Sequence, residues 1–148
     1  MKRKAVGKSF VSIALLLAFL AVLPAARADE TNQETKVTFR QSVQISGHVL
    51  PAGTYLFVLP DDINQHQVVR IFSSDGIKLY ATVLTAYVER SQPTDNAAFT
   101  LGERGSALPE AIVTWFYPGR TLGHEFLYPK RVQKELGKDQ QTTIVAGN

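Results

Sequence analysis

Three histidines, a few carboxylates and one aromatic cluster are the residues of this chain that could do chemistry. His48, His66 and His124 could bind a metal or move a proton. No two of them stand at the H-x-H or H-E-x-x-H spacing that brings two imidazoles to one ion. His124 and Glu125 are adjacent in a segment that reads as a strand, so their side chains point to opposite faces and cannot share a metal there. A site built from distant histidines with Glu103 or Glu125 is the metal alternative. Exposed loop histidines are the simpler reading, and no metal or cofactor is expected. Asp61-Asp62 follows Pro60, where aspartate commonly hydrogen-bonds a turn backbone. Glu103 and Arg104 lie within GERG in the longest irregular connection, and loops on a rigid scaffold carry function. Glu103 or Glu125 could act as the acid of a small hydrolase; a surface ion pair is the plainer role for Glu103 and Arg104. No serine lies in G-x-S-x-G, and no phosphate-binding glycine loop occurs. The chain has no cysteine, which excludes thiol catalysis and thiolate metal sites.

The aromatic residues Trp115, Phe116, Tyr117, Phe126 and Tyr128 flank the Pro118-Gly119 turn. On a strand, Trp115 and Tyr117 share one face and Phe116 takes the other. Exposed, the pair would be a stacking platform for a sugar or peptide; buried, it is core. A small domain with a single tryptophan needs its large side chains inside, so the core reading is preferred. Any ligand surface would draw on Trp115, Tyr117, His124, Glu103 and Arg104. No catalytic residue is assigned.

The elements that must position these residues are strands. From Lys36 the chain alternates: Val37, Phe39, Val43 and Ile45 share one parity, and Lys36, Thr38, Arg40, Ser42, Gln44 and Ser46 the other. A period of two puts the first set on a core. Gln41 breaks the inward row and marks a bulge. Leu50-Pro51-Ala52-Gly53 reads as a turn, and TYLFVL after it as a central strand covered on both faces, because both parities are apolar. Further strands are expected at 67–72, 78–89, 97–101, 111–117 and 124–128, with a hairpin turn at Ser74-Asp75-Gly76. Only RVQKEL, at 131–136, has helical spacing. Seven short strands without crossover helices predict an all-β fold, an antiparallel sandwich or small barrel.

The ends bound the compartment. MKRKAVGK, an apolar run of about fifteen residues and Ala26-Arg27-Ala28 follow the order of a secretory signal peptide. The run is short of the roughly 20 residues that span a bilayer. Residues 1–28 are therefore expected to be removed, leaving 29–35 as a flexible start, 36–130 as one domain and 131–148 as a tail. Of the 16 basic residues five lie in the signal and none of the 13 acidic ones do, so the whole-chain net of +3 becomes 11 against 13, a net of −2. Nucleic-acid binding, which needs a clustered cationic face, is not expected. Nor is a membrane anchor after cleavage. An edge strand such as 36–46 offers a route to self-association.

SGHVLPAGTY, IFSSDGIKLYATVL and the closing WFYPG with GHEFLYPK resemble a group of small exported bacterial all-β proteins without known function. The likeness spans most of Thr35 to Lys130, with Ser46-Gly47 where Pro-Gly would be expected. LPAGTY is also similar to turns of transthyretin-like and carboxypeptidase-regulatory-like domains. Both likenesses imply fold and export, and neither brings catalytic residues. The expectation is an exported, non-catalytic binding, accessory or structural protein of the periplasm or medium. The alternative is a small extracytoplasmic hydrolase acting on carbohydrate or envelope material.

Overall fold

The computed structural model describes residues 33–60, 67–105, 107–136 and 141–146. In chain order these form β1 (Glu34–Phe39), β2 (Val43–Ile45), β3 (His48–Leu50), β4 (Gly53–Val58), β5 (Val68–Ser73), β6 (Leu79–Glu89), β7 (Ala97–Gly102), β8 (Glu110–Phe116), β9 (Leu122–Phe126), α1 (Lys130–Leu136) and β10 (Gln141–Ala146). The strands join in the order β1-β4-β5-β6-β9-β8-β2-β3, with β7 on β8 and β10 on β7. Every pair is antiparallel except β2 with β8, so the sheet is mixed. Among the described residues the fold is all-β apart from the short helix α1.

The expected bulge at Gln41 is a full break. Val37, Phe39, Val43 and Ile45 are all buried, as the alternation requires, but β1 pairs with β4 while β2 joins β3 and β8. One alternating segment thus serves nearly opposite ends of the strand order. The long β6 does the complementary job: Leu79–Leu84 pair with β5 and Thr85–Glu89 with β9. The sheet folds over a shared core. Phe57 of β4 lies with ring centroids 5.0 Å from Phe99 on β7, 5.9 Å from Trp115 on β8 and 6.4 Å from Phe126 on β9, none of them hydrogen-bonded neighbours of β4. Burying such large apolar surfaces is the main stabilising term of the fold.

Three expectations change. The described residues form ten strands rather than seven, because the first segment splits and β3 and β10 are added. The sheet is not closed into a barrel, since β1, β3 and β10 each have one hydrogen-bonded neighbour. TYLFVL is central, between β1 and β5, but only Tyr55, Phe57 and Leu59 are buried; Leu56 and Val58 are half-buried. Its outer row is shielded by same-face neighbours, Leu56 standing between Lys36 and Phe72, rather than by a second layer.

The turns follow their sequences. At the β5–β6 turn the Asp75 carboxylate accepts from the Ser73 hydroxyl and from the Ile77 N–H at 3.0 Å, and Gly76 supplies a φ of 75°. Those bonds to the charged form hold the Asp75 carboxyl below its ordinary range. The segment assigned to a tail is built into the sheet: α1 buries Leu136 and β10 pairs with β7. Leu136 packs where Gly102 has no side chain; a Cβ there would meet it at 2.7 Å. No helix among the described residues is long and apolar enough to cross a membrane.

Candidate functional site

Trp115 and His124 are core residues; for Trp115 that is the preferred reading, and for His124 it replaces the exposed loop histidine that was expected. Trp115 has no exposed surface and His124 is 7% exposed. They belong to a cross-strand row in which Phe99 opposes Trp115, Trp115 opposes His124, and His124 opposes Tyr87. Successive ring centroids are 6.0, 5.8 and 5.8 Å apart, and the Phe99 and Trp115 planes lie within 9° of parallel. The His124 Nδ1 lies 3.0 Å from the Thr85 hydroxyl. Strand pairing aligns these rings. Tyr117, just past β8, is half-buried against the core. Of the other histidines, His48 is exposed on β3, while His66, like Asp61-Asp62, lies outside the described residues. Glu125 points outward, opposite His124, as the alternation predicts.

Glu103 and Arg104 part company. Glu103 is exposed, whereas the Arg104 side chain is 9% exposed. The Arg104 guanidinium donates to the Gln44 side-chain oxygen and, at 3.1 Å, to Glu135 Oε2 of α1. Gln44 in turn donates to the Ser46 carbonyl at 3.0 Å. The Tyr128 hydroxyl lies 3.1 Å from the Gln44 carbonyl and 2.7 Å from that of Ile112. This knot ties β2, β8, the loop after β7 and α1 together. Burial pushes the Tyr128 phenol well above its ordinary value, against smaller opposing effects of backbone hydrogen bonding and the nearby Arg104 charge. That Gln44, Glu135 and Tyr128 meet around Arg104 escaped the sequence reading, because nothing in their spacing announces it. The structure brings together Arg104 with Gln44, Glu135 and Tyr128, and separately His124 with Trp115. No group of three or more metal-ligating side chains occurs among the described residues.

What the surface offers is a cleft of about 640 Å³ between the edges of β1 and β10. It opens beside the break where the chain leaves β1 for β2. Phe39, Leu101 and Ile144 contribute apolar lining, and Lys36, Arg40 and Glu110 contribute charge. A second hollow of about 490 Å³ lies on the outer face over Leu56, Val58 and Phe72. Glu103 and Glu125 line neither. The β1 backbone has a defined phase: the Leu59 N–H donates to the Gln33 carbonyl at 3.0 Å. In an antiparallel ladder, Thr35, Val37 and Phe39 therefore aim their N–H and C=O groups at β4, and Glu34, Lys36 and Thr38 aim theirs away from it. Those outward groups are the hydrogen-bonding capacity of the free edge. No protein-family model, curated protein or solved structure matches this chain.

Proposed function

We propose that this chain is an exported, non-catalytic binding or accessory protein of the space outside the cytoplasm, a two-layer β-sandwich that engages its partner through the cleft beside β1. The cleft carries this reading: it joins an unpaired strand edge to an apolar lining and a charged rim, the combination that recognises an extended chain by strand addition. Export is supported by the charged start, apolar run and Ala26-Arg27-Ala28 of the sequence, and by the resemblance to small exported bacterial proteins. The hydrolase alternative has less support, because its proposed acids, Glu103 and Glu125, stand exposed away from both hollows.

Two measurements test the reading. Protein recovered from the periplasm or medium should begin at Asp29 by intact mass; a full-length species retained in the membrane would contradict export. Hydrogen exchange should show the amides of Lys36 and Thr38 protected in native extracytoplasmic material and open in dilute purified protein. Equal, rapid exchange in both would remove β1 as the binding element.

A further inference from the structure

We infer that the partner of the β1 edge is the β1 edge of a second copy of this chain, in an antiparallel pairing centred on Val37. The inference rests on β1 being the binding element, and its evidence is the order of charges along the strand. Glu34, Lys36, Thr38 and Arg40 are exposed. Glu34, Lys36 and Arg40 enter no ion pair among the described residues. Since the even-numbered residues of β1 present the free backbone groups, a second strand must pair even with even.

Register then decides between attraction and repulsion. Centred on Lys36, the pairing sets Lys36 against Lys36 of the second copy. Centred on Thr38, it sets Lys36 against Arg40. Both place like charges directly opposite, which is destabilising. Centred on Thr35, it sets Glu34 against Lys36 without a like-charge clash, but overlaps only Glu34–Lys36 of the two β1 strands. Centred on Val37, it sets Glu34 against Arg40, the residue just past β1, Arg40 against Glu34 and Lys36 against Thr38, engaging the whole of β1 and satisfying two charge pairs by symmetry. A lysine on an edge strand is a common device against such pairing; in this register Lys36 meets a hydroxyl instead of a cation. The cleft runs beside Lys36, Thr38 and Arg40 and is bounded across from them by Ile144, Val145 and Ala146 of β10.

The test is a charge-swap cycle on residues 29–148, followed by sedimentation equilibrium over a range of concentrations. The parent should be a dimer. Glu34→Arg and Arg40→Glu should each weaken dimerisation on the order of tenfold or more, as two attractive cross-strand pairs become repulsive. The double variant should restore it, because the pairs re-form with their signs exchanged. Both positions are exposed, so melting temperatures should stay close to the parent's and show that loss of the dimer is not loss of the fold. A parent that stays monomeric, single variants that dimerise as well as the parent, or a double variant without rescue would each overturn the inference. A monomeric parent whose Lys36 and Thr38 amides are still protected in extracytoplasmic material would retain β1 as a binding edge and assign it a different partner.

Discussion

Phe57 has no exposed surface and lies within ring-contact distance of Phe39, Phe99, Trp115 and Phe126. Phe57→Ala would leave a cavity among groups already engaged with one another, and such truncations cost about 3–5 kcal/mol. A domain of this size is held by roughly 5–15 kcal/mol, so thermal melting should place the variant far below the parent, with Trp115→Ala close behind. A parent-like melt for Phe57→Ala would contradict the packing. Tyr128 gives a residue-scale prediction of a different kind. Its phenol is raised in the folded chain by burial. Its contribution is therefore complete below about pH 10, the ordinary tyrosine value, and is lost as pH rises further, because the unfolded phenol ionises while the folded one keeps its proton. The loss should approach about 1.4 kcal/mol per pH unit for this one group. Denaturant melts from pH 8 to 11.5 should show a steeper alkaline decline for the parent than for Tyr128→Phe. At pH 8, Tyr128→Phe should be less stable by about 1–3 kcal/mol, since the buried Ile112 carbonyl and the part-buried Gln44 carbonyl lose the hydroxyl they share. Equal alkaline slopes would show that Tyr128 ionises as freely folded as unfolded.

At the scale of elements, the β2–β3 hairpin turns through Ser46 and Gly47, with Ser46 at a φ of 51°. That region is uncommon for any residue but glycine, and its strain is of order 1–3 kcal/mol. The Ser46 hydroxyl also donates to the Leu127 carbonyl at 3.0 Å, tying the hairpin to the end of β9. Proline is locked near −65° and cannot take this turn. Ser46→Pro should therefore lose more than about 1 kcal/mol in a chemical denaturation series. Ser46→Gly should stay near the parent, relieving strain as it gives up one hydrogen bond. A Ser46→Pro variant as stable as the parent would mean that the hairpin re-forms through another turn. The hydroxyl contact spans 81 residues of sequence, and local reading of Ser46-Gly47 has no access to it.

For the whole molecule, the division between sequence and tertiary structure follows the range of the interactions. Alternation at Val37, Phe39, Val43 and Ile45 set their burial, because the side-chain period of an extended strand is a local property. Asp75 and Gly76 likewise set their own turn. Strand content, the central place of TYLFVL and the short helix at 130–136 were legible for the same reason. The cleft was not. It exists because β1 and β2 separate at Arg40–Ser42 to join different neighbours, and because β10, within a segment read as a tail, returns to β7. QTTIVA carries a β-branched signal that could have marked β10, yet its partner lies some 40 residues back. Arg104 shows the same limit at one side chain. GERG reads as an exposed loop, and only the folding of α1 and β2 onto that loop supplies the Glu135 and Gln44 that let its charge be buried. Local periodicity therefore determined which residues face the core. Which strand edges stay unpaired, and which polar groups meet, are matters of long-range pairing that only the tertiary structure decided.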